Sequence, residues 1–86
     1  MKYSLRYHAR ALKRLRGIHP HDQKKVLKKL QLLSNNPFGT HLNIRKMANT
    51  PASYRLRIDN LRVIYEIDFE KQIIYVEDID YRGSIY

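Results

Sequence analysis

Apolar and polar residues alternate from the first few positions. Tyr3, Leu5 and Tyr7 are separated by Ser4 and Arg6, the period-two pattern of a strand buried on one side. The period then lengthens. Ala11, Leu12 and Leu15 recur at helical spacing and predict a helix from about His8 to Arg16, with Gly17 as its stop. His19-Pro20-His21-Asp22 predicts the start of a second helix, because proline fits the first turn, where its missing N–H costs nothing. Val26, Leu27, Leu30 and Leu33 form the inner stripe of that helix, and Ser34-Asn35-Asn36-Pro37 ends it. From Phe38 to Ser53 no period is sustained, so this span reads as a loop with room for a short strand.

Alternation then returns. Tyr54, Leu56 and Ile58 interleave with Arg55, Arg57 and Asp59; Leu61, Val63, Tyr65 and Ile67 interleave with Arg62, Ile64, Glu66 and Asp68. A further run from Gln72 to Asp80 is rich in Ile, Val and Tyr, with Phe69-Glu70-Lys71 as the turn before it. The predicted order is β-α-α-β-β-β, an α+β fold with two N-terminal helices on one face of a small, mostly antiparallel sheet. With no Gly/Ser linker, low-complexity tract or internal repeat, residues 1–86 are expected to form one domain.

Asp59-Asn60, between two alternating runs, predicts a two-residue hairpin loop, since both residue types tolerate positive φ. That loop sets a register in which Ile58 faces Leu61, Arg57 faces Arg62, Leu56 faces Val63, Arg55 faces Ile64 and Tyr54 faces Tyr65. One face of the hairpin is then apolar throughout, and the other gathers Arg55, Arg57 and Arg62. Like charges directly opposite one another destabilise a sheet by up to about 1 kcal/mol per pair. Such a cluster is expected to hold an anion, although arginines on an open strand also serve simply as solvated surface.

Charge sharpens this picture. The net charge of +9 is unevenly spread: residues 1–57 hold fourteen Lys and Arg against one acid, whereas residues 58–86 hold three against seven acids. A basic portion of this kind suits nucleic acid, through phosphate neutralisation and counterion release, or an acidic protein partner. Lys24, Lys25, Lys28 and Lys29 make a basic face on the second helix, open either to solvation or to docking of ribosomal RNA or an acidic partner segment. No membrane association is expected, because no run approaches the length and apolarity of a span. Charges interrupt the N-terminal residues where a signal peptide needs an apolar stretch, which predicts a cytoplasmic protein without disulfides, as there is no cysteine.

The second half reads Tyr54-Arg55-Leu56-Arg57, then Leu61-Arg62-Val63-Ile64-Tyr65-Glu66-Ile67, then Tyr81-Arg82-Gly83-Ser84-Ile85-Tyr86. It resembles the toxins of the RelE/ParE superfamily from type II toxin–antitoxin pairs, and the RelE-like branch in particular. The first half agrees: a short strand, an Ala-Leu-Lys helix at Ala11-Leu12-Lys13, and a basic helix ending in Asn36-Pro37, with Lys46-Met47 in the place of the family's Lys-Leu. The resemblance implies a microbial-ribonuclease-like fold and a ribosome-dependent endonuclease that cuts mRNA in the A site. The cut needs no metal or other cofactor: a 2′-hydroxyl attacks the adjacent phosphate, leaving a cyclic phosphate and a free 5′-hydroxyl.

Carried over by position, Arg62 and Arg82 match phosphate-binding arginines that would stabilise the transition state. Arg55 and Arg57, with Lys46, match basic residues that position the RNA. Tyr86 matches a C-terminal tyrosine that stacks on a base and is placed for proton transfer. A cognate antitoxin, partly disordered until it binds, is the implied partner, in a toxin–antitoxin hetero-oligomer. Two departures bear on chemistry. Arg55 and Arg57 stand where lysines could act as bases, and a guanidinium hardly gives up its proton in a protein. Tyr81 stands where the family places an aromatic residue or histidine. The proton acceptor is therefore open among Tyr86, Tyr81, Glu66 and the substrate itself.

Other features point away from metal chemistry. His8, His19, His21 and His41 show no ligand spacing and read as surface or cap residues. Asp78 and Asp80 share a strand face, yet beside Arg82 they read more simply as ion-pair partners than, with Glu77, as a Mg²⁺ site. Two other functions compete with RNA cleavage. One is the DNA gyrase inhibition of the ParE branch, which generally lacks the terminal arginine and tyrosine. The other is a catalytically attenuated module that only binds antitoxin or RNA.

Overall fold

The computed structural model describes residues 2–38, 42–47 and 53–81. Their elements are β1 (Ser4–Tyr7), α1 (Ala9–Gly17), α2 (Pro20–Asn35), β2 (Asn43–Lys46), β3 (Ser53–Ile58), β4 (Leu61–Asp68) and β5 (Ile73–Tyr81). The strands form one sheet in the order β1-β5-β4-β3-β2, parallel only between β1 and β5. The α+β class, the two helices and the mostly antiparallel sheet agree with the sequence reading, with a fifth strand, β2, added inside the span read as a loop. β2 has four residues and a single inward apolar side chain, Ile44, too few for a period to declare itself.

Both helices start on histidines. The Nδ1 atoms of His8 and His19 accept the backbone N–H of Arg10 at 3.0 Å and of His21 at 3.1 Å. Each thereby satisfies one of the donors that a helix start leaves without an intrahelical partner. Pro20 follows His19 in the first turn of α2, and Asp22 lies there too, where a carboxylate complements the helix dipole. Among the described residues no helix is long and apolar enough to cross a membrane.

The core lies between the helices and one face of the sheet. Ala11 and Leu15 of α1 and Val26, Leu30 and Leu33 of α2 pack over Leu56, Ile58, Leu61, Val63, Tyr65, Ile74, Val76 and Ile79. Two expected members are absent: Leu12 is 36% exposed and Leu27 47% exposed. Each sits about 100° around its helix from a residue that points straight inward, Ala11 or Val26, so it falls at the margin of the buried stripe. Leu27 lines a shallow groove with Tyr3, just before β1, and Leu5 of β1.

The β3–β4 hairpin has the predicted register at every pair from Ile58–Leu61 to Tyr54–Tyr65, and continues to Ser53–Glu66. Of its two loop residues only Asp59 has positive φ, at 52°. A type I′ turn would need it at both. Across β4–β5 the register shifts: Ile64 faces Asp78 while Tyr65 faces Val76, which leaves Glu77 as the extra residue of a bulge. β1 reaches only Val76 of its neighbour, and the N–H of His8 donates to the Val76 carbonyl at 2.8 Å as the ladder ends. From there α1 lies against the rest of β5.

Candidate functional site

The sheet face turned away from the core is organised by register. Residues directly opposite one another share a face, so Asn43, Arg57, Arg62 and Asp80 form one row across β2, β3, β4 and β5. Arg45, Arg55, Ile64 and Asp78 form the next. Neighbouring strands are about 4.8 Å apart and a two-residue step along a strand is about 7 Å. Four guanidinium-bearing residues, Arg45, Arg55, Arg57 and Arg62, therefore start from a patch about one nucleotide across. With Asn43 they line a concavity of about 210 Å³. Arg45 and Arg57 are exposed, and Arg55 and Arg62 are half-buried.

The structure thus brings Arg55, Arg57 and Arg62 together as the alternation predicted and adds Arg45, which sequence reasoning missed because β2 was not recognised. The signal was faint: Ile44 flanked by polar neighbours. Lys46 does not join the patch. It stands opposite Tyr54, on the helix side of the sheet, because a one-residue step along a strand reverses the face. Arg82 and Tyr86 lie outside the described residues, as does His41.

The acids beside the patch are already engaged. Asp80, directly across from Arg62, bonds Arg14; Asp78 bonds Arg14 at 3.2 Å and Arg10 at 3.7 Å. Both arginines are one helical turn apart on α1 and reach round the sheet edge that β1 leaves open. Asp78 and Asp80 are therefore ion-pair partners as expected, but of α1. Tyr81 faces away from the arginine rows. It pairs with Leu61 on the core side, donates its hydroxyl hydrogen to Asp22 at 3.0 Å and lies 3.4 Å from the His19 N–H. Glu66 shares the arginine face, but four residues along β4 place it about 13 Å from Arg62. Its carboxylate lies 3.4 Å from the Ser53 hydroxyl and adjoins Glu77, whose own carboxyl is pushed up by burial first and by Glu66 second.

Residues 5–86 match the family model described as the ParE toxin of the type II toxin–antitoxin system parDE. The chain belongs to the RelE/ParE toxins. A relative bearing the name toxin RelE1, from Methanocaldococcus jannaschii, is 30% identical over 87 residues, spanning 100% of this chain and 97% of that protein. The fold of this RelE/ParE toxin is also that of solved structures. A chain of the archaeal RelE–RelB complex from Pyrococcus horikoshii superposes with a TM-score of 0.84 at 23% identity, covering 98% of this chain and 99% of that one. For the intact E. coli RelBE toxin–antitoxin complex the TM-score is 0.80 at 23% identity, covering 95% and 98%.

The basic helix face of this RelE/ParE toxin lies apart from the arginine rows. Lys25, Lys28 and Lys29 border a second cleft, of about 400 Å³, between α2 and the β2–β3 margin; its other lining includes Leu42, Leu56, Asn43 and Arg57. Lys25 Nζ bonds Asp59 at 2.7 Å, which ties α2 to the hairpin loop and holds the Asp59 carboxyl below the ordinary aspartate range. Lys24 is exposed on the same helix.

Proposed function

We propose that this RelE/ParE toxin is an RNA-directed one of the RelE kind, cutting mRNA in the ribosomal A site without a metal. The observation that carries the reading is the row structure of the open sheet face. Four arginines converge on it, and Asp78 and Asp80, which stand in the same two rows, are paired with arginines of α1. In the reaction a 2′-hydroxyl passes its proton to a phosphate oxygen of the substrate as its oxygen bonds to the neighbouring phosphorus. The P–O5′ bond breaks and the departing 5′ oxygen takes up a proton, so none is gained or lost overall. Arg62, with Arg82, stabilises the charge that develops on the phosphorane oxygens. Arg45, Arg55 and Arg57 fix the flanking phosphates, and Tyr86 stacks on a base and serves proton transfer. A guanidinium supplies charge and fork geometry but no base, so electrostatics and positioning make up the larger share of catalysis here.

Lys24, Lys25, Lys28 and Lys29 serve docking, and a RelB-like antitoxin that folds on binding holds the toxin inactive in the cytoplasm. Solved relatives in complex with RelB support such a partner. The test is in vitro translation of a defined mRNA, with cleavage mapped by primer extension. A-site cuts are expected to persist when the toxin has been treated with EDTA before addition to ribosomes. Arg62→Ala is expected to lower cleavage at least a hundredfold, about 2.7 kcal/mol of transition-state stabilisation, while antitoxin binding survives. Undiminished cleavage by that variant sinks the site. The ParE description of the matching family model favours a second reading, in which the chain traps DNA gyrase. Intact mRNA together with covalent gyrase–DNA complexes would establish it.

A further inference from the structure

The cleft between α2 and the β2–β3 margin is not part of the arginine face, yet the two share a wall. Asn43 and Arg57 line both. Arg57 is exposed and stands near the end of β3, where the open face turns toward the helix side. Beyond it the surface changes character. The arginine concavity is lined by polar side chains alone, whereas the second cleft has Leu42, Leu56 and Ile58 at its base and Lys25, Lys28 and Lys29 on its rim. Its volume, about 400 Å³, is that of a small-ligand site. The one carboxylate in the lining, Asp59, is already bonded to Lys25 at 2.7 Å. Lys28 and Lys29 therefore hold the surplus positive charge.

We propose that this cleft is a nucleotide subsite, taking one further residue of the RNA strand whose phosphates lie on the arginine face. It rests on the RNA-directed reading of that face and adds the direction in which the strand leaves it. The small exposed edges of Leu42 and Ile58 and the methylene stems of Lys28 and Lys29 accept a nucleobase or ribose edge without needing a particular base. Lys28 and Lys29 meet the adjoining phosphate, and Arg57 bridges the two sites. Continuity through Asn43 and Arg57 favours a nucleic-acid strand, whose backbone carries a charge at every residue and so can run from the arginine rows onto the α2 rim. Single-stranded nucleic acid is bound elsewhere by the same combination of basic groove and apolar base platform.

The experiment measures binding of a fluorescent trinucleotide and a hexanucleotide of uridine to the full chain across a salt series. It compares the parent with Lys28→Ala/Lys29→Ala and with Lys13→Ala/Arg16→Ala, which removes equal charge from exposed positions on α1. The hexanucleotide is expected to bind the parent more tightly and with a steeper salt slope than the trinucleotide. The α2 variant should lose that gain, its slope falling by about 0.7 for the one phosphate contact, while its trinucleotide binding stays as in the parent. The α1 variant should keep the gain. A 4-thiouridine near the end of the hexanucleotide should crosslink to the Leu42–Asn43 segment.

Equal slopes in the α2 variant and the parent, with the trinucleotide still bound and lost on Arg62→Ala, overturn the subsite alone. Absence of any Arg62-dependent binding overturns the RNA-directed reading, and the subsite with it. A Lys28- and Lys29-dependent complex with a glutamate-rich peptide, alongside unaltered hexanucleotide binding, assigns the cleft to a protein partner and overturns the proposal.

Discussion

Tyr65 is fully buried in the centre of β4, stacked on Tyr54 with ring centroids 5.6 Å apart. Its hydroxyl has no hydrogen-bond partner among the described residues, and burial, with Tyr54 second, pushes its pKa up. A buried hydroxyl without a partner costs about 1–3 kcal/mol of desolvation. Tyr65→Phe keeps the ring and its stacking, so the variant is expected to match the parent or exceed it by about 1 kcal/mol, read as a shift in urea midpoint at unchanged slope. A loss of stability instead would mean that the hydroxyl is bonded. Glu77, the bulge residue, behaves differently because it titrates. Burial and Glu66 raise its pKa, with Arg10 opposing, so the folded chain holds this proton more tightly than the unfolded one. Its contribution is therefore most favourable below the ordinary glutamate value of 4.5 and is lost as pH rises through the raised value. Glu77→Gln should raise Tm near neutral pH and converge on the parent in acid; equal differences at both ends would remove Glu77 as the cause.

At the scale of elements, α1 does more than cover the core. Arg14 holds both Asp78 and Asp80, and Arg10 supports it at Asp78. The two carboxylates are only 14% and 20% exposed, so Arg14→Ala, which strips Asp80 of this partner, should cost folding about 1–3 kcal/mol. Its effect on RNA belongs to the open face, where Asp80, no longer neutralised by Arg14, would repel RNA phosphate beside Arg62. RNA affinity is expected to fall up to about fivefold, and Asp80→Asn on that background should restore it. No loss, or no rescue, would refute the arrangement. None of this was legible in the sequence, where Arg14 and Asp80 lie far apart and Arg82 seemed the natural partner. What was legible followed from local rules. Alternation on both sides of Asp59-Asn60 leaves one register that sends Leu56, Ile58, Leu61, Val63 and Tyr65 to the core, and that register placed Arg55, Arg57 and Arg62 together. β2 escaped because a four-residue edge strand with one inward side chain draws its identity from its neighbour. Arg45 was missed with it, while Lys46, named from the family resemblance, stands on the other face of β2. Leu12 and Leu27 show the same limit on helices, where spacing defines a stripe but not which margin a sheet will cover.

For the whole molecule, the uneven charge becomes a matter of faces. Three acids of the C-terminal part are paired with helix cations, Asp78 and Asp80 with Arg10 and Arg14 of α1 and Asp59 with Lys25 of α2. Two basic surfaces remain, the arginine rows and the α2 rim, which meet at Arg57 and Asn43. Attraction between such a surface and a polyanion is chiefly entropic, through counterions released as phosphates are neutralised, and for single strands it follows about 0.7 per contact in a log–log plot of affinity against salt. If Arg45, Arg55, Arg57 and Arg62 each take a phosphate of a short RNA, the slope is about −2.8. Removing Arg45 should lower its magnitude by about 0.7, as should removing Arg57, whereas Lys46→Ala, on the other face of β2, should leave it unchanged. That contrast between adjacent residues of one strand separates a directed phosphate surface from the general pull of a +9 chain. Net charge alone would make Arg45→Ala and Lys46→Ala indistinguishable, and equal slopes for the two would reduce the arginine rows to solvated surface.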